Sequence, residues 1–169
     1  MWFLMRYSLI RDMDISNGVG IACSIFFQGC RHHCKGCFNK ETWDFNGGKE
    51  FTKEVQDKFI ELCNKPFIDC VSILGGEPLQ QDDTIGFYKF TENLKIKVRK
   101  PIYLWTGYTW EEIMQSRELT KKILCVDYLI DGKFEEDKKD LNLKLRGSSN
   151  QRIIDVIASL ESGNIVTIE

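Results

Sequence analysis

Four compact apolar runs, at residues 21–27, 70–74, 101–105 and 126–130, constrain this chain more than any other feature. They are too short for buried helices and lack the polar alternation of a half-exposed strand. Each therefore reads as a strand covered on both faces. Helix-length segments separate them. Thr52 is placed to cap a helix over 53–64, whose stripe is Val55, Phe59, Ile60 and Leu62-Cys63. Residues 80–97 read as a second helix with Ile85, Tyr88-Lys89-Phe90 and Leu94 facing inward. Thr109 caps a third that opens on Trp110, with Glu111 and Glu112 in the first turn, where the helix dipole favours acids. The order β-α-β-α-β-α-β predicts an α/β fold with parallel strands and right-handed crossovers. A complete eight-stranded barrel takes about 250 residues. A chain of 169 residues has room for a partial barrel or an open sheet, in a single domain over 1–169.

The remaining stretches are less committed. Residues 1–13 read as a short strand or arm, 14–20 as a turn and 165–168 as a terminal strand. Residues 150–161 fit either a helix or an alternating strand. The mixed charges of 133–140 suggest a solvated loop. Net charge is −2, which gives no field for duplex nucleic acid, so no nucleic-acid partner is expected. No apolar run nears the roughly 20 residues of a membrane span, and the N-terminus lacks the marks of a signal peptide. Seven cysteines, three of them in one loop, do not make a disulfide framework. A reduced, cytoplasmic setting with no membrane partner is the expectation.

In parallel α/β folds ligands gather at the carboxyl ends of the strands. Here those ends carry Cys30-x3-Cys34-x2-Cys37, then Gly75-Gly76-Glu77-Pro78, then Thr106-Gly107, then Asp131-Gly132-Lys133. If the strands are parallel, all four line one pocket. Three thiolates in one short loop are an incomplete set for a tetrahedral ion. They suit a 4Fe–4S cluster with one iron left open to a small molecule. The rival is a Cys3His zinc site completed by His32 or His33. The crowding within one loop, and the lack of a second Cys-x2-Cys pair, favour iron–sulfur. The two histidines then read as loop polar residues or as groups tuning the cluster. Paired glycines allow close backbone approach to a ligand, and Glu77 offers a carboxylate for a ligand ammonium. Cys23, Cys63, Cys70 and Cys125 read as small buried hydrophobes.

The cysteine motif followed by Gly75-Gly76-Glu77-Pro78 resembles the radical S-adenosylmethionine enzymes. Asn17-Gly18, Gly29-Cys30 through Lys40, Thr42-Trp43, Leu104-Trp105-Thr106-Gly107-Tyr108, residues 126–134 and Arg146-Gly147-Ser148-Ser149-Asn150-Gln151 are similar to one branch. That branch is the activating proteins of anaerobic (class III) ribonucleoside-triphosphate reductases. The resemblance runs to about residue 151. It implies a partial (β/α) barrel with a mainly parallel sheet of radical-SAM type. It also implies a 4Fe–4S cluster on Cys30, Cys34 and Cys37, with S-adenosylmethionine chelated at the open iron. Gly75, Gly76 and Glu77 would hold the ammonium, and Thr106 would lie near the ribose or methionine part. Asp131 and Lys133 match a strand-end pair of related activases. Gly36, Cys37, Phe38 and Asn39 complete the implied cofactor contacts. The superfamily often has an aromatic residue at the position of Gly36, so adenine contact falls to backbone or to Phe38.

The implied activity is that of an oxidoreductase that cleaves S-adenosylmethionine and makes a glycyl radical on the large reductase subunit. An electron donor such as flavodoxin would be a further partner. The 133–140 loop, beside the rim, is a candidate contact with the reductase. The alternatives are another glycyl-radical activase, a small-molecule radical enzyme, or a non-catalytic zinc module.

Overall fold

The computed structural model describes residues 5–169. The start of the expected 1–13 arm therefore lies outside the described residues. Strand β1 (Arg6–Asp14) turns back into β2 (Ala22–Phe27). The short strand β3 (Lys49–Glu50) leads into α1 (Lys53–Cys63). Next come β4 (Cys70–Gly75), α2 (Thr84–Lys97) and β5 (Ile102–Trp105). Two short helices, α3 (Trp110–Met114) and α4 (Arg117–Ile123), precede β6 (Tyr128–Asp131). The chain closes with β7 (Arg152–Asp155), α5 (Val156–Ser162) and β8 (Thr167–Ile168).

The eight strands form one sheet in the order β3-β1-β2-β4-β5-β6-β7-β8. The central four, β2, β4, β5 and β6, are parallel. The outer four pairings, two on each side, are antiparallel. This corrects the expected partial (β/α) barrel with a mainly parallel sheet: the fold is α/β, but the sheet is mixed. The cause is connection length. Only a short turn joins β1 to β2, and a parallel return needs a crossover of a dozen residues or more. Beyond β6 the chain returns through a loop with no crossover α-helix, so β7 runs antiparallel to β6. The period-2 strand reading of 150–161 and the helical one are each half right, since β7 hands over directly to α5 at Val156.

The central strands are buried on both faces. On one face Ile25, Phe27, Ile73, Leu104 and Leu129 meet Phe59 of α1, Phe90 of α2 and Ile113 of α3 in the main core. On the other, Ala22, Cys70, Tyr103, Ile130 and Ile153 form a smaller cluster. α1 starts where expected, with the Thr52 side chain accepting from Val55 N at 3.3 Å. α2 starts later than expected, because Asp83 caps it through Gly86 N at 2.8 Å, while Pro78–Gln80 form a 3-10 turn. That start sets the buried face as Phe87, Phe90, Thr91 and Leu94, at helical spacing. Ile85 lies two residues from Phe87, about 200° round the helix, and is 59% exposed, not inward. The Thr109 cap is a full capping box with Glu112.

Candidate metal centre

The registry of the central strands sets the site. Phe27 pairs with Gly75, Ile73 with Leu104, and Trp105 with Ile130. Four strands thus end at one level, and the loops after them converge. Their shared cavity has a volume of about 540 Å³. Cys30, Cys34 and Cys37 line it, as do Gly75, Gly76 and Thr106. Gly107 and Gly132 complete the strand-end wall. Phe26, Leu74 and Trp105, from the sheet face without helices, form an apolar side.

The cysteine loop is pinned at its base. Gly29 N donates to Thr42 O (2.7 Å) and Cys30 N to Trp43 O (3.1 Å). Glu77 N reaches back to Gly29 O at 2.8 Å, so the loop and the glycine pair are tied together. Gly29 has φ of +109°, and a side chain there would strike the Phe45 ring. Along the loop Arg31, His33 and Lys35 are exposed while the intervening His32 and Cys34 turn inward. All three thiols therefore reach one cavity. Burial pushes the Cys30 thiol up from its ordinary pKa, against the opposing pull of the His32 and His33 N–H groups. Burial also raises Cys34, helped by Cys37 and opposed in part by Lys133. Cys30 and Cys34 are thus held against ionising, and a cation bound among them would favour their thiolate forms.

That donor set fits an iron–sulfur cluster better than a single zinc ion. Among the described residues no three His, Cys, Asp or Glu side chains converge closely enough for one ion. Thiolates on a four-iron cluster sit at separate corners and need more spread. The histidines a zinc site would need are engaged elsewhere: His32 Nε2 lies 2.8 Å from Glu77 Oε1, and His33 stacks on Trp43 at 4.2 Å.

Glu77 is placed differently from expectation. Its side chain is fully buried and off the cavity wall. Oε1 accepts from Thr106 Oγ1 (2.8 Å) and Gly107 N (2.6 Å) and meets His32 Nε2. Oε2 accepts from Leu79 N at 3.1 Å. The carboxylate thus joins three of the converging loops. Gly75 (φ +117°) and Gly76 do face the cavity. A Cβ on Gly76 would lie 2.6 Å from Gly29 O and 2.7 Å from Thr42 O.

The other expected contacts divide. Thr106 is on the wall, but its hydroxyl is held by Glu77 and accepts from Tyr108 N at 3.1 Å. Asn39 is on the wall, with Nδ2 3.4 Å from Gly75 O and N 3.4 Å from Cys37 Sγ. Phe38 lines the cavity, is 59% exposed, and packs on Phe134 at 5.1 Å. Gly36 faces away, where a Cβ would meet the Glu136 carboxylate at 2.9 Å. Asp131 is buried under the rim, accepting from Trp110 N (2.8 Å) and paired with Arg152 (2.5 Å). Lys133 is exposed and off the wall; its carbonyl accepts from Asn150 Nδ2 at 2.8 Å. Between them Gly132 reaches the cavity. The 133–140 loop is anchored against the cysteine loop, with Lys35 3.6 Å from Glu136. Arg11, Asn17 and Arg146 also line the cavity, and residue-by-residue reading missed them. For Arg146 a signal existed, the branch-specific stretch 146–151; for Arg11, on an exposed strand, there was none.

A sheet whose parallel strands end in a three-cysteine loop over a glycine pair is the geometry of an iron–sulfur protein. Residues 16–154 match the family described as 4Fe-4S single cluster domain. Three similar proteins carry the name anaerobic ribonucleoside-triphosphate reductase-activating protein. That of Salmonella typhi is 39% identical over 150 residues, covering 87% of this chain and 96% of its own. That of Escherichia coli K12 is 37% identical with the same coverage. The bacteriophage T4 protein is 35% identical over 88% of this chain and 93% of its own. The chain belongs to the family of anaerobic ribonucleoside-triphosphate reductase-activating proteins.

Proposed function

We propose that this protein binds a 4Fe–4S cluster through Cys30, Cys34 and Cys37 and acts, in the cytoplasm, as a radical S-adenosylmethionine activase. Its partner is the large subunit of an anaerobic ribonucleoside-triphosphate reductase. The observation that carries this reading is the shared cavity, with three thiols on one wall and Gly75-Gly76 on the next. Held by Cys30, Cys34 and Cys37, the cluster would supply the electron for reductive cleavage of S-adenosylmethionine, the chemistry that would generate a glycyl radical on the reductase. The electron comes from a donor such as flavodoxin.

The chain's own residues bind, orient and exclude water. Gly75 and Gly76 present bare backbone to the methionine ammonium. Glu77 keeps the three loops in register through its four hydrogen-bond partners. Thr106, held by Glu77, presents its strand end to the ribose or methionine part. Phe38 and Asn39, just past Cys37 on the cavity wall, offer their side chains to the nucleoside. Asp131 acts through Arg152 to hold the β6 end, and Lys133 contributes positive charge near Cys34.

The test is iron and sulfide analysis of anaerobically purified protein, with electron paramagnetic resonance of the reduced form with and without S-adenosylmethionine. A reduced-cluster signal that shifts on adding S-adenosylmethionine, followed by a glycyl radical on the added reductase, is expected. A colourless protein with stoichiometric zinc would refute the reading.

A further inference from the structure

The stretch Arg146-Gly147-Ser148-Ser149-Asn150-Gln151 distinguishes the branch, yet nothing so far gives its arginine a task. Most of its polar side chains have structural ones. Ser148 Oγ accepts from Glu135 N at 3.1 Å, and Asn150 Nδ2 donates to Lys133 O at 2.8 Å. Gln151 Oε1 accepts from Gly147 N (2.8 Å) and Ser148 N (3.2 Å), while its Nε2 donates to Gly132 O (2.9 Å). These bonds fasten the stretch to the end of β6, on the cavity rim.

Of the polar side chains of this stretch that line the cavity, Gln151 is thus satisfied and Arg146 is not. The Nε of Arg146 is sealed from solvent with no hydrogen-bond partner. Among the described residues its one hydrogen bond is a long one from Nη1 to Gln151 O at 3.4 Å. Among the described residues no carboxylate lies within ion-pair distance of it. Arg152, six positions on, forks onto both Asp131 and Glu111. A guanidinium donor buried without an acceptor is costly, and a planar fork is built to take a carboxylate in two bonds. The cavity's charges point the same way. Apart from the cysteines, its ionisable lining is Arg11, His32, Asp140 and Arg146. His32 is held by Glu77, and Asp140 accepts from Asn142 N. Two guanidiniums thus face one acid.

We infer that Arg146 is the carboxylate-binding arm of the cavity, holding the α-carboxylate of the methionine part of S-adenosylmethionine. The inference rests on the S-adenosylmethionine reading proposed above. The carboxylate is that ligand's only anion, and the sealed Nε favours a small ligand inside the cavity over a side chain from a docking protein.

The experiment is equilibrium dialysis of the cluster-loaded protein, without oxygen, against S-adenosylmethionine and its decarboxylated form. The two share adenosine, sulfonium and amine and differ only in the carboxylate. Arg146→Met is expected to weaken S-adenosylmethionine binding by about 10- to 100-fold and to leave the decarboxylated form within about twofold. Arg146→Lys, which keeps the charge but loses the fork, is expected to lose part of that preference. Equal losses on both ligands, or undiminished affinity for S-adenosylmethionine, would overturn the assignment. If Arg146→Met fails to fold, the lysine variant decides: a ligand preference equal to that of the unsubstituted protein overturns it. Failure of the unsubstituted protein to bind either ligand would refute the S-adenosylmethionine reading itself, and the role of Arg146 with it.

Discussion

Replacing Glu77 by glutamine tests whether the buried carboxylate is a scaffold or a ligand contact. Glu77 Oε1 takes three partners, His32, Thr106 and Gly107, and Oε2 takes Leu79 N. Glutamine keeps one acceptor oxygen but removes the charge, so three charge-assisted bonds become neutral at about 0.5–1 kcal/mol each. Its amide nitrogen would face the buried Leu79 N–H, two donors opposed, for about 1 kcal/mol more. The sum is about 3 kcal/mol. For a chain of this size that corresponds to roughly 6–12 °C in melting temperature. Urea unfolding of cluster-free, reduced protein, followed by far-ultraviolet circular dichroism, reads this without any ligand. Thr106→Val removes one of the same bonds. The double variant should therefore fall short of the sum of the singles by about 1 kcal/mol. An unfolding midpoint unchanged by Glu77→Gln, together with lost S-adenosylmethionine binding, would refute the scaffold role and restore the direct contact.

Three further outcomes follow from the same structure. Cys30→Ser, Cys34→Ser and Cys37→Ser should each bring bound iron and sulfide near background. Cys23→Ala, a core change, should keep the iron at a stability cost of about 1–2 kcal/mol; iron retained by any loop variant at the level of the unsubstituted protein counts against the ligand set. Gly76→Ala drives a Cβ within 2.7 Å of two backbone oxygens. Both loops must then shift, at about 2 kcal/mol or more in urea, and an unchanged midpoint would mean the contact relaxes freely. Phe87→Ala should cost about 3–5 kcal/mol and Ile85→Lys no more than about 0.5 kcal/mol. The reverse order would return α2 to the face expected from sequence.

The site was legible in its parts because its residue types are rare and closely spaced. Three thiols within eight residues, and two glycines at the end of an apolar run, have few structural uses. The four central strands were legible for a similar reason: continuous apolar runs of strand length have nowhere to go but the middle of a sheet. The flanking strands were harder to read. β1 has only one buried residue, Asp14, and β3 none, so neither carries a hydrophobic signal. Whether β7 returned parallel or antiparallel depended on a loop whose bonds, from Gln151 and Asn150, link residues far apart in the chain.

Glu77 and Asp131 mark the boundary most clearly. Sequence made both look like ligand groups, because a carboxylate at a strand end is an obvious hand for a cation. Which way a side chain points is settled by its neighbours. Glu77 found four donors and Asp131 found Arg152, so both carboxylates lie beneath the cavity wall, and a saturated buried carboxylate is far cheaper than one left facing an apolar side. Sequence alone therefore determined the chemistry available: three thiols, a glycine pair, and strands short and apolar enough to bring their ends together. Tertiary structure decided which groups face the cavity and which hold it open. It also left Arg146 Nε buried with no hydrogen-bond partner among the described residues, because hydrogen bonds are satisfied by whatever the fold brings within reach, whatever the order of residues along the chain.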